Sequence, residues 1–199
     1  MAQRNRSRRI VLRHCPAEDD VIELAVDNGW TIARWIPKDE ESTATEEIIW
    51  DVDGDTQASY VEDSISGSCF VVAFASTPAA AESVATVAGE HLDSYSLDEL
   101  ITAVDVSPGE GPVFALAVMK LAIGAPAEYD KAIFNRILAA IESPIAMDHS
   151  AGVTATMFTE WPEFLPVLQR VAATDENQQV RLRAERALNA FANAGIGEA

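Results

Sequence analysis

The chain reads as an α+β protein in which a small mixed α/β domain precedes an all-α array of two to three helix pairs. Three observations predict this. The first 93 residues alternate short β-branched runs with single helical segments. Near residue 94 the apolar period changes from two to 3.6, and strand-like runs stop. Beyond that point apolar positions recur at a spacing of 33 residues. The expected organisation is a disordered basic tail (1–7), an α/β domain with an acidic surface (8–93) and a helical domain (94–199).

Taken in order, "RRIVLRHC" is a short β-branched run that Pro16 ends. "AEDDVIELAVDNG" follows, with Val21, Leu24 and Ala25 on one helical face and acids in the first turn, where they suit the helix dipole. Asn28-Gly29 is its stop signal. "WTIARWI" reads as a strand that breaks at Pro37, and an acidic Ser/Thr-rich loop covers 38–45. "EEIIWDV" and "ASYVED" flank Asp53-Gly54, a dipeptide suited to a tight hairpin turn. "GSCFVVAFAS" is almost uninterruptedly apolar, the pattern of a strand buried on both faces. Thr77-Pro78 then opens an alanine-rich helix, with proline at a first-turn position. The order β-α-β-β-β-α predicts one sheet with helices packed on a face.

In the second half, Ser96 to Glu99 and Ser107 to Glu110 both have capping-box spacing. With Pro144 and Pro162 as further starts, they define six helices, about 97–105, 108–123, 127–142, 144–159, 162–173 and 176–193. A shift of 33 lays Met147, Ala151, Ala155 and Phe158 onto Val180, Ala184, Leu188 and Phe191. A helix pair cannot bury its apolar face alone, and stacking successive pairs solves that.

The segment "FLPVLQRVAATDENQQVRLRAERALNAFANAG" resembles a HEAT repeat, including its HEAT-like variants, with the best match over 163–194. Its second helix has the form V-R-x-x-A-x-x-A-L-x-x-F, filled here by Val180, Arg181, Ala184, Ala187, Leu188 and Phe191. The resemblance implies an α-solenoid scaffold and says little about chemistry.

Charge separates the regions. Residues 1–13 carry +5, residues 14–93 carry −16 and residues 94–199 carry −7, for a net −18. Between Asp39 and Met119 there are 17 acids and no lysine or arginine. Such a surface repels nucleic acid and anionic membranes and attracts basic proteins or cations. No apolar stretch has the ~18 uncharged residues of a membrane span, and no signal-peptide core follows the basic start, so a cytoplasmic protein with reduced thiols is the default expectation, with a single Cys15–Cys69 disulfide as the alternative.

The twelve residues "DVDGDTQASYVE" place Asp51, Asp53, Asp55 and Glu62 at calcium-ligand positions of an EF-hand loop. Thr56 replaces the turn glycine and the flanks are strand-like, so an Asp-Gly hairpin is the expected structure, with a weak non-EF cation site as the alternative use of these carboxylates. No H-x-x-H, C-x-x-C or H-E-x-x-H spacing argues for structural zinc, and no nucleophile elbow, phosphate loop or dinucleotide fingerprint is present. Cys69 reads as a small buried hydrophobe.

No cofactor is implied. The expected function is a non-catalytic adaptor or immunity/inhibitor-like module that binds a basic protein partner. Candidate contact residues are Asp39, Glu40, Glu41, Glu46, Glu47, Trp50, Trp161, Arg181 and Arg183. The alternative is an accessory enzyme or small-ligand-binding protein with a pocket between the two domains, marked by a buried carboxylate near His91 or His149.

Overall fold

The computed structural model describes residues 4–37, 46–107 and 111–197. The chain divides into two compact units, Met1–Ser96 and Leu97–Ala199.

The first unit is an antiparallel sheet with two helices. In chain order it contains β1 (Asn5–Arg6), β2 (Ile10–Val11), α1 (Glu18–Asp27), β3 (Thr31–Ile36), β4 (Glu46–Asp51), β5 (Gln57–Asp63), β6 (Ser68–Ala75) and α2 (Pro78–His91). The strand order is β1-β6-β5-β4-β3, and β2 also pairs with β6. Directly opposed residues share a sheet face. The register Ile48↔Tyr60↔Val71 and Trp50↔Ala58↔Ala73 therefore builds one apolar face. Val21, Leu24 and Ala25 of α1 and Ala85 and Ala88 of α2 share a buried cluster with Ile48, Trp50, Tyr60 and Val71 of that face. Each large aliphatic side chain buried this way contributes about 1.5–3 kcal/mol. Gly29 closes α1 at φ +71, a conformation that favours glycine. Thr77 caps α2 by accepting from Ala80 N.

Two boundaries differ from expectation. Asn5 and Arg6, assigned to a disordered tail, form an edge strand on Ala75 and Phe74. Ser7 bridges the gap to β2, since its N–H donates to Ala73 O and its Oγ accepts from Ala73 N. Arg4 donates to Gln57 Oε1 at 2.6 Å and Arg8 pairs with Glu82 at 2.6 Å, so these arginines are engaged on the unit's own surface. At the other end, Ser94 bridges Leu12 and Tyr95 N donates to Val11 O, which extends the first unit beyond residue 93.

The second unit is helical: α3 (Leu97–Val106), α4 (Pro112–Gly124), α5 (Lys131–Ile141), α6 (Ala146–Thr159), a 3-10 turn (Pro162–Phe164) leading into α7 (Leu165–Thr174), and α8 (Gln178–Asn193). Residues 108–110 of the expected capping box lie outside the described residues. Ser107 instead closes α3 by donating to Ala103 O, and α4 begins at Pro112. Asp130 caps α5 through Ala132 N and Ile133 N, and Asn177 caps α8 through Gln179 N.

Successive helices pair as α3 with α4, α5 with α6 and α7 with α8, while α4 packs on α6 and α6 on α8. The first helices are linked differently, by charge. Arg136 of α5 meets Asp105 of α3 through two hydrogen bonds of 2.8 and 2.6 Å, and Arg170 of α7 reaches Glu142 at 3.3 Å. Helix α6 is the central element. At Gly152 an added Cβ would lie 2.6 Å from Ile141 N, so only glycine lets α5 cross this closely. Its buried residues include Asp148, Thr154, Thr156 and Thr159. Each has a partner: Asp148 accepts from the distant Gly111 N and from Ser143 Oγ, while Thr154, Thr156 and Thr159 donate to the Ser150, Val153 and Thr156 carbonyls within their own helix.

Burial gives α6 and α8 a different alignment from the one hydrophobicity suggests. A shift of 33 lays Met147, 50% exposed, onto buried Val180. A shift of 32 instead lays Asp148, Gly152, Ala155 and Thr159 onto Val180, Ala184, Ala187 and Phe191, and all eight are buried.

Candidate functional site

Helix α1 concentrates the negative charge. Its one apolar side is buried, and its flanks carry Glu18, Asp19, Asp20, Glu23 and Asp27. On one flank Asp20, Glu23 and Asp27 line a cavity of about 430 Å³ together with His91, Leu92 and Asp93 from the end of α2. His91 Nδ1 lies 2.9 Å from Val87 O, within its own helix. Asp93 is approached by Arg13 at 3.1 Å and His14 at 3.3 Å.

On the other flank Glu18 meets the open end of the β4–β5 hairpin. The register Glu46↔Glu62↔Cys69 lines three side chains across β4, β5 and β6 on the helix-bearing face. Carboxylate oxygens of Glu18, Glu46 and Glu62 all lie within 4.8 Å of one another. Burial, then the charges of Glu46 and Glu62, raise the Glu18 carboxyl above its ordinary range. Tyr60, fully buried, accepts from Ala17 N and donates to Glu62 Oε1, both at 2.8 Å. Burial holds its phenol neutral by raising its pKa.

An apolar pair adjoins this end. Strand β3 lies at the sheet edge, and its register shifts between Ile32 and Arg34. The shift puts Ile32 (opposite Trp50) and Trp35 (opposite Ile48) on the helix-bearing face, where they remain 54% and 48% exposed. Trp35 Nε1 donates to Glu46 Oε1 at 3.1 Å.

The calcium-loop candidates do not converge. Asp51 and Asp53 belong to a hairpin turn closed by Val52 N donating to Thr56 O. Asp51 accepts from Gly54 N, Asp53 from Asp55 N and Thr56 N, and Asp55 from Ser76 Oγ. The Asp55 and Thr56 N–H groups depress the Asp53 carboxyl below its ordinary range. Glu62 sits at the opposite end of β5, opposite Glu46, roughly 17 Å along the strand at about 3.4 Å per residue. The same hairpin that gathers three aspartates removes the fourth ligand.

The partner-contact candidates also separate. Asp39, Glu40 and Glu41 lie outside the described residues. Glu46 and Glu47 are half-buried, and only Glu46 is on the face with Glu18 and Glu62. Trp50 and Trp161 are buried, 1% and 2% exposed, and cannot anchor a partner. Trp50 fills the first core, whereas Trp161 packs against Tyr129 and Phe164 and donates to Ala127 O. Arg181 donates to the Asp175 and Glu176 carbonyls and so holds the α7–α8 turn. Arg183 is exposed and reaches Thr154 Oγ1 at 3.4 Å.

The cysteines depart from the reduced-thiol expectation. Cys15 and Cys69 form a disulfide with Cα atoms 5.4 Å apart, because β2 runs back along β6 and Leu12 N donates to Cys69 O. Their separation of 54 residues carries no spacing signal. In the helical unit, His149 Nε2 stands 3.2 Å from Asp175 Oδ2 at an ion-pair distance without hydrogen-bond alignment. Both line a cavity of about 280 Å³ with Ser143, whose hydroxyl proton is directed to Asp148.

Among the described residues no helix is long and apolar enough to cross a membrane. Comparison with protein-family models, with characterised proteins and with solved structures gave no match.

Proposed function

We propose that this protein is a non-catalytic protein-interaction module, an adaptor or inhibitor, whose acidic α/β unit docks a basic protein partner. The observation that carries the reading is the double acidic flank of α1: Glu18 with Glu46 and Glu62 on one side, and Asp20, Glu23 and Asp27 on the other. Mutually repelling carboxylates are stabilised by an incoming lysine or arginine, and their long-range field speeds the encounter. Exposed Ile32 and Trp35 beside Glu46 supply the apolar contact that interface centres favour.

The helical unit in this reading is a HEAT-like scaffold. Support comes from the motif over 163–194 and from the three helix pairs with α4, α6 and α8 stacked in succession. The cytoplasm remains the proposed location.

Affinity capture from the native host at low and high salt tests the reading. A basic partner retained at low salt and lost at high salt is the expected result. Charge reversal at Asp20, Glu23 and Asp27 together should weaken that complex by about tenfold, chiefly through the association rate. Capture of neutral or acidic partners with salt-independent affinity overturns the proposal.

A further inference from the structure

The disulfide stands beside a carboxylate that is already positioned. Cys69 is the second residue of β6 and is fully buried, whereas Cys15 is exposed. One ligand atom each from Cys15, Cys69 and Glu62 lies within 4.8 Å of the others. Glu62 is fixed by the hydrogen bond from Tyr60 Oη, and that same hydroxyl is 3.3 Å from Cys69 Sγ. Ligand carboxylates in metal sites are held by second-sphere hydrogen bonds of this kind. A tetrahedral ion with metal–sulfur bonds of about 2.3 Å and metal–oxygen bonds of about 2.1 Å sets its ligand atoms roughly 3.4–3.8 Å apart. The three side chains reach that spacing once the sulfur–sulfur bond opens, since the exposed Cys15 end has room to move.

We propose that reduction of the Cys15–Cys69 disulfide opens a site for a borderline-soft divalent cation of the Zn²⁺ type, held by the two cysteine thiolates and the Glu62 carboxylate. The fourth position falls to Glu18, Glu46 or water, since both glutamates lie within 4.8 Å of Glu62. The reductant is a dithiol. One of its thiolates attacks the exposed Cys15 Sγ, the Cys15–Cys69 bond breaks and Cys69 leaves as the thiolate. The second dithiol sulfur then displaces Cys15 and closes a cyclic disulfide, so two electrons pass to the protein and both cysteines take up protons. Zn²⁺ binding releases those two protons to solvent as the thiolates form. Oxidised, the pair clamps the start of α1 to β6; reduced, it becomes a metal site on the same face.

Titration of the full chain with Co²⁺ alone, oxidised and after phosphine reduction under anaerobic conditions, tests it. Reduced protein is expected to bind one Co²⁺ with tetrahedral d–d bands and a thiolate-to-cobalt charge-transfer band, and stoichiometric Zn²⁺ should bleach both. The oxidised protein should lack the charge-transfer band. Cys15→Ser and Glu62→Gln should each weaken binding at least about tenfold. No charge-transfer band in reduced protein at excess Co²⁺ overturns the proposal. So does unchanged affinity in Glu62→Gln, or equal binding by the oxidised form. Far-UV circular dichroism accompanies each titration. Should reduction unfold the chain, recovery of the native spectrum on adding one equivalent of Zn²⁺ supports the site, and failure to recover overturns it.

Discussion

The β4–β5 hairpin carries carboxylates at both ends, and the two ends treat them in opposite ways. At the turn, Asp51, Asp53 and Asp55 point into N–H groups and a hydroxyl of nearby loops. At the open end, Glu46 and Glu62 face Glu18 and one another. The Asp53 carboxyl at the turn is lowered in pKa, whereas that of Glu18, which faces the open end, is raised. All six are carboxylates, so the difference comes from partners. A turn exposes backbone N–H groups from which a carboxylate can accept, whereas a paired ladder has spent its N–H groups and leaves Glu46 and Glu62 to accept from the Trp35 and Tyr60 side chains.

Three substitutions break or sharpen this contrast. The largest effect is expected from Tyr60→Phe at the open end. It removes the hydroxyl that satisfies the buried Ala17 N–H and orients Glu62, and should lower stability by about 1–3 kcal/mol in urea denaturation. Asp53→Ala, at the turn, should cost less, because the freed Asp55 and Thr56 N–H groups are near water. Its sign follows from the depressed carboxyl. The wild-type advantage is fully present above the unfolded value near 3.9 and is lost as pH falls through the lower folded value. Urea midpoints of the two proteins at pH 7 and near pH 2 should therefore converge on acidification. Glu18→Gln should have the smallest effect and the opposite sign. With its folded pKa raised, ionised Glu18 costs stability above that value, and the cost fades as pH drops through it toward the unfolded value near 4.3. In the oxidised, metal-free protein the variant should be slightly more stable at pH 7 and equal to wild type near pH 3. A destabilised Glu18→Gln at pH 7 would show that attraction, not repulsion, governs the open end.

Much of the architecture was legible. The strand-like runs became β3 to β6, and the acidic first turn and Thr77-Pro78 marked the starts of α1 and α2 within a few residues. The hairpin was legible too, because Asp53-Gly54 is local turn chemistry and Gly54 takes φ +82. The burial of α6 departs from its hydrophobic pattern for a physical reason. Hydrophobicity favours Met147 and Phe158 as its inner residues, yet the helix buries Asp148, Thr154, Thr156 and Thr159, whose polar atoms find partners within a turn or at Gly111 and Ser143. Tryptophan type likewise does not distinguish an interface anchor from a core residue: the exposed one is Trp35, held by a register shift, and not Trp50 or Trp161.

Local pattern by itself determined the division into a sheet half and a helical half, the hairpin turn and the acidic character of α1, because each depends on neighbours a few residues apart. Tertiary structure alone decided which carboxylates meet. Glu62 was grouped with Asp51, Asp53 and Asp55 by sequence, and antiparallel pairing carried it to Glu46, Glu18, Cys69 and Cys15 instead. The reason is geometric. A strand advances about 3.4 Å per residue, so pairing register outweighs sequence distance in choosing a side chain's company.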